Sequence, residues 1–175
     1  SISFALKENN YLGKGLGVEA KALITEESIK GNFSVTNPNF RNTDKSVFFS
    51  AQTSETDRLT DFGYKTNKTG FLVGTNFEFL DDMILGLGTS NYYEKIETAS
   101  NASARQKQQK GDYFDTYLKL SFELDRRNQK FRTTDGFRSY YSVNVPAISD
   151  NNTLTNYYNY KIFSELYENN VSSFA

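Results

Sequence analysis

The chain has 175 residues, a net charge of -1 and 23% charged residues, so it has the length of one domain and no charge bias toward nucleic acid. It contains no Cys, no His and no Trp, which removes disulfide frameworks, the usual Cys/His zinc sites and Ser-His or Cys-His nucleophiles. Aromatic residues reach 15%, as 12 Tyr and 15 Phe, yet mean hydropathy is -0.63; this pairing is expected where every second strand residue faces lipid and its neighbours face a wet lumen.

Alternation with period two runs along the whole chain. Ile2, Phe4 and Leu6 alternate with Ser3, Ala5 and Lys7, so the chain opens in what reads as mid-strand. Gly13-Lys14-Gly15-Leu16-Gly17 lacks the spacing of a phosphate loop and leads into a strand rather than a helix, so a hairpin turn is predicted. Leu16 to Ile24 forms the second predicted strand, with Glu19 and Lys21 on its polar side. Phe33 and Val35 follow, alternating with Lys30, Asn32 and Ser34, then Val47, Phe49 and Ala51. Phe71, Val73, Phe77 and Phe79 interleave with Asn76 and Glu78, and residues 80–82 read as a tight turn. Met83, Leu85 and Leu87 alternate with Gly86 and Gly88, although Ile84 breaks the pattern. A long polar connection is predicted over 95–112, with 98–112 readable as a surface helix or as an irregular loop. Phe114, Leu118, Leu120, Phe122 and Leu124 then interleave with Asp115, Lys119 and Glu123. Phe137, Tyr141, Val143 and Val145 alternate with Arg138 and Asn144; Tyr158, Tyr160, Ile162 and Leu166 alternate with Lys161 and Glu165. The total is nine predicted strands in one all-β domain over 1–175, with no helical stretch near the ~20 apolar residues a membrane helix needs.

Two faces follow from this pattern. Phe33, Val35, Phe77, Leu118, Leu120, Phe122, Val143 and Ile162 are predicted to face lipid, and Glu19, Lys21, Lys30, Glu78, Lys119, Glu123, Arg138 and Lys161 to face a lumen. A Lys or Arg on the lipid side at mid-bilayer costs about 2–4 kcal/mol, so the segregation has a physical cause. Alternation alone also fits a soluble barrel or sandwich with its apolar face inward. Strands longer than the soluble mean of ~5–6 residues favour the membrane. So do aromatics near strand ends, such as Tyr11, Phe40, Tyr64, Tyr93 and Phe131, and connections of very uneven length. Asp81, Asp82 and Asp125 lack any calcium-loop pattern and read as turn residues. The Asn-x-Ser/Thr sequons at Asn32, Asn67, Asn101 and Asn151 arise easily in an Asn-rich chain. No residue is a catalytic candidate, and no cofactor or metal is expected.

Four segments together resemble the barrel of the outer-membrane assembly factor BamA family. Asn10-Tyr11-Leu12-Gly13-Lys14-Gly15 is similar to the turn between that family's second and third strands. Ser34-Val35-Thr36-Asn37-Pro38-Asn39-Phe40 is close to its Val-Thr-Asn-Pro-Tyr-Phe signature. Leu124-Asp125-Arg126-Arg127, followed by Thr134-Asp135-Gly136-Phe137-Arg138, resembles the stretch that normally closes Pro-Thr-Asp-Gly, with Thr133 standing where the family has Pro. Their order and spacing match across nearly the whole chain, from about the family's second to its tenth strand.

The resemblance implies an antiparallel up-and-down transmembrane β-barrel, present here in part, in the bacterial outer membrane. Gly13, Gly15, Asn37, Pro38, Phe40, Thr134, Asp135 and Gly136 would be structural motif positions. It implies a parent protein that folds and inserts other barrels, with membrane lipid, unfolded outer-membrane proteins and assembly-complex lipoproteins as partners and no nucleic acid. The lid motif, the first and last strands and the periplasmic POTRA domains are expected to lie outside this sequence. A TamA-like or two-partner secretion barrel, or a passive porin, would share the strand pattern. Strand parity places 95–112 on one side of the membrane, expected outside the cell, and 37–44 with 126–135 on the periplasmic side.

Overall fold

The computed structural model describes residues 1–150, 152–167 and 170–174; the sequon at Asn151 and the predicted facing of Leu166 lie outside that description. Ten strands form one antiparallel sheet in strict chain order. They are β1 (Ile2–Tyr11), β2 (Leu16–Ile24), β3 (Ser28–Asn37), β4 (Ser46–Arg58), β5 (Tyr64–Leu80), β6 (Met83–Thr98), β7 (Gly111–Asp125), β8 (Gly136–Ser149), β9 (Thr155–Tyr167) and β10 (Asn170–Phe174). Two short helices, α1 (Leu59–Phe62) and α2 (Ala104–Gln108), lie in connections. The sheet begins at β1 and ends at β10, and among the described residues these two strands do not pair with each other.

The strand count corrects the expectation of nine. Val171 opposes Glu165 and Ser172 opposes Ser164, which adds β10 to the sheet. Its sequence is too short and polar to read as a strand; the ladder to β9, rather than its own alternation, specifies it. The long connection is also shorter than predicted. β6 runs to Thr98 and β7 starts at Gly111, so the connection is 99–110. Within it α2 is held by a capping box, with the Ser103 hydroxyl accepting from the Gln106 amide and the Gln106 side chain accepting from the Ser103 amide. The outer reaches of β4, β5 and β6 escape a hydrophobic reading because both of their faces are polar there.

Turn chemistry explains how consecutive strands reverse. After β1 the left-handed Leu12, Gly13 and Gly15 turn the chain, and the Asn10 side-chain oxygen accepts from the Gly15 amide at 2.7 Å. Asp82 at φ 64 completes the two-residue link between β5 and β6. On the opposite side, Thr25 and Ser28 bond reciprocally to close β2 onto β3. The connections 12–15, 38–45, 81–82 and 126–135 therefore share one end of the sheet, and 25–27, 59–63, 99–110 and 150–154 share the other. At that second end the connections 59–63 and 99–110 are clasped. The Ala99 amide donates to the Gly63 carbonyl at 2.8 Å, the Asn101 amide group donates to the Leu59 and Thr60 carbonyls, and Ala102 is buried beneath them.

Among the described residues there is no conventional core. Among the described residues Ala102 is the one buried hydrophobic residue, and no large side chain is fully buried. The stability of the sheet must come from its ladders and from what covers its apolar face.

Candidate functional site

The functional surface is the sheet itself, because register sorts side chains onto two unlike faces. Residues directly opposite across a ladder share a face. Ala20, Phe33, Ala51 and Phe71 stand in one row; Phe77, Leu85, Phe122, Tyr141 and Tyr158 stand in another. Leu120 opposes Val143, Leu118 opposes Val145, and Phe137 opposes Ile162. Phe33, Val35, Phe77, Leu118, Leu120, Phe122, Val143 and Ile162 thus lie on one apolar face.

The alternate residues form the other face. Lys7, Glu19 and Ser34 share a row, as do Lys30, Ser54 and Lys68, and Glu78, Ile84, Glu123 and Tyr140. Lys21 opposes Asn32, Lys119 opposes Gly88 and Asn144, and Arg138 opposes Lys161. All eight charged residues singled out in the sequence therefore share the polar face. Ile84, which broke the alternation, stands there too, and the alternation did not reveal that Phe48, Leu72, Tyr92 and Tyr140 do as well. The Phe48 ring lies over Gly74, where a Cβ would collide with it, and Gly74 in turn opposes Gly88.

Exposure distinguishes the faces in an unusual sense. The apolar face is open, with Phe4 57% and Leu118 53% exposed, whereas Ser90 and Ser142 on the polar face are at 8%. A soluble β-sandwich or barrel buries the apolar side and wets the other. In this sheet the apolar side is left open. From Phe79 to Thr69 on β5 the apolar band rises about 25 Å once strand tilt is allowed for. It ends at an aromatic row of Tyr93 and Phe114, which oppose each other.

Beyond that row the same face becomes charged, which sequence reading missed. Glu55 opposes Asn67 and then Lys95 and Asp112, and Asp57 opposes Lys65 and then Glu97. Lys65 pairs with Glu55 at 3.0 Å and with Asp57 at 3.4 Å, and Lys95 pairs with Glu97 at 2.7 Å. The signal was present as charges at every second position, but without apolar residues between them nothing marked the segment as strand.

The end of the sheet formed by connections 12–15, 38–45, 81–82 and 126–135 holds the motif residues. Asn37 accepts from the Asn39 amide at 3.1 Å and leads through Pro38 to Phe40, on whose ring the Arg41 guanidinium rests at 5.3 Å. Asn128, which the sequence did not single out, organises the Thr134-Asp135-Gly136 segment. Its side-chain oxygen accepts from the Thr134 and Asp135 amides, and its amide group donates to the Thr134 hydroxyl at 2.6 Å. Gly136 sits at φ +99 with the Arg126 carbonyl pressed against the place of a Cβ. Arg127 grips Asp125 through two nitrogens at 2.7 and 2.6 Å, and those bonds raise its pKa further above the ordinary guanidinium value. Arg138 bonds Glu123 at 2.7 Å nearby. Among the described residues no group of His, Cys, Asp or Glu is placed to hold a metal ion.

Ten antiparallel strands in one sheet with an open apolar face define an all-β protein of the up-and-down class. A family model described as the Omp85 superfamily domain matches residues 10–175, and the chain belongs to that superfamily. Among solved structures it is similar to BamA from Haemophilus ducreyi lacking POTRA domains 1-3, with a TM-score of 0.67 and 19% identity over 94% of this chain. The chain spans 35% of the length of that structure. A search of curated proteins returns no match.

Proposed function

We propose that residues 1–175 form part of the transmembrane barrel of a protein that folds and inserts β-barrel proteins into the bacterial outer membrane. The apolar face would meet lipid and the polar face would line the lumen. The observation that carries this reading is the open apolar face of a chain belonging to the Omp85 superfamily: its large apolar side chains are exposed, while Ser90 and Ser142 on the polar face are buried. Exposed Phe and Leu over a band about 25 Å high are costly in water and favourable in hydrocarbon. The partners on this reading are membrane lipid, unfolded outer-membrane proteins and the lipoproteins of an assembly complex, with no cofactor.

The test uses the full-length protein that carries these residues, reconstituted into liposomes. It should speed the appearance of protease-protected, heat-modifiable test barrel above the lipid-only rate. A reconstituted protein that conducts ions but leaves insertion at the lipid-only rate would be a passive pore, and the assembly reading would fall.

A further inference from the structure

One hollow on the polar face, of ≈ 510 Å³, is lined by Lys21, Lys30 and Lys68 and by no carboxylate. Register fixes how close the three cations stand. Lys30 and Lys68 flank Ser54 in one row, so their Cα atoms are about 10 Å apart. Lys21 opposes Asn32, two residues along β3 from Lys30, which sets it about 7–8 Å away on the diagonal.

The local counter-charges leave this cluster under-neutralised. Lys21 pairs with Glu19, which is not part of the lining. Glu94 opposes Lys68 in register, yet the Lys68 ammonium forms no ion pair with it and rests 4.7 Å above the Tyr92 ring. Lys30 makes no ion pair among the described residues. Ser54, Asn32 and Gln52 lie between the cations, and the apolar part of the floor, Ala5 and Leu23 with the methylene stems of the lysines, lies beside them toward β1. Like charges gathered this closely disfavour one another until an anion joins them.

We propose that this hollow binds a small anion with an apolar body, such as an aryl or alkyl sulfonate, carboxylate or phosphate. The charged head meets Lys30 and Lys68, and the body lies on Ala5 and Leu23. The site rests on the reading of the polar face as a water-filled lumen, since a ligand must reach it from solution.

Naphthalene-2-sulfonate is the probe, measured by equilibrium dialysis against the full-length protein in non-ionic detergent, with naphthylmethylammonium as the control of opposite charge. Binding should saturate, weaken as salt is raised, and fall about tenfold or more in the K30Q/K68Q variant. The K30R/K68R variant keeps both charges and should bind as the unaltered protein does, which separates loss of charge from loss of fold. Equal uptake of the cationic control, equal binding by K30Q/K68Q, or loss of binding in K30R/K68R would overturn the site. Failure of the barrel reading shows separately, as loss of lipid-phase quenching at labels on Phe33 and Leu118. Lost binding with that quenching intact condemns the site alone.

Discussion

Gly136 and Gly13 show how much one Cβ means at two turns of the same end of the sheet. Both have positive φ, but at Gly136 a Cβ meets the Arg126 carbonyl and the Arg127 Cα, while at Gly13 nothing lies within 4 Å. Gly13→Ala should therefore cost only the left-handed penalty, about 1–2 kcal/mol. Gly136→Ala adds displacement of the 126–135 connection and should cost about 2–4 kcal/mol. Urea midpoints of the full-length protein, followed by loss of its heat-modifiable band, compare the two; equal shifts would mean the Arg126 contact does not matter. The Thr-Asp-Gly motif was legible as a motif, but its cause was not. The cause is Asn128, six residues before Thr134, whose side chain closes that connection, and an Asn in a polar loop gives no sign of which backbone amides it will cap.

Strands were legible wherever one face is apolar and the other polar, as in β3 and β7. They were illegible where both faces are polar, as from Gln52 to Arg58 and from Tyr64 to Thr69, and where the strand is a short edge, as in β10. Ladder hydrogen bonds do not depend on side-chain polarity, so a strand can outrun the pattern that announces it. Faces, once strands are placed, follow from parity. Spin labels at Phe33, Leu118 and Leu120 in the full-length protein should be reached by lipid-phase oxygen, and labels at Lys30, Lys119 and Ser121 by polar quenchers. Swapped accessibilities would make the apolar face an inward one. Leu118→Arg should destabilise the inserted protein by about 2–4 kcal/mol, whereas Ser121→Arg on the polar face should cost far less. Parity also orders the connections: 38–45 and 126–135 share an end, and 99–110 lies at the other. A tag inserted at Ala104 should label on intact cells and one at Asn42 only after permeabilisation. Surface labelling at both would contradict the alternation of the strands.

At the scale of the molecule, the sheet has ten strands and two edges, β1 and β10, each with one neighbour among the described residues. Every residue of β1 is exposed. An edge strand in hydrocarbon leaves a row of amide and carbonyl groups without partners, and each such group costs several kcal/mol. Water is no better a solvent for this sheet, because its apolar face would then be wet and its edges free to pair with other copies. The 175-residue chain expressed alone should therefore enter inclusion bodies and refold in detergent only to aggregates or edge-paired oligomers. The full-length protein should run as a heat-modifiable monomer under the same conditions. In liposomes the isolated chain should leave insertion of a test barrel at the lipid-only rate while the full-length protein raises it. A heat-modifiable, monomeric, active 175-residue chain would mean that β1 and β10 close on each other and that the assembly machinery is complete within these strands.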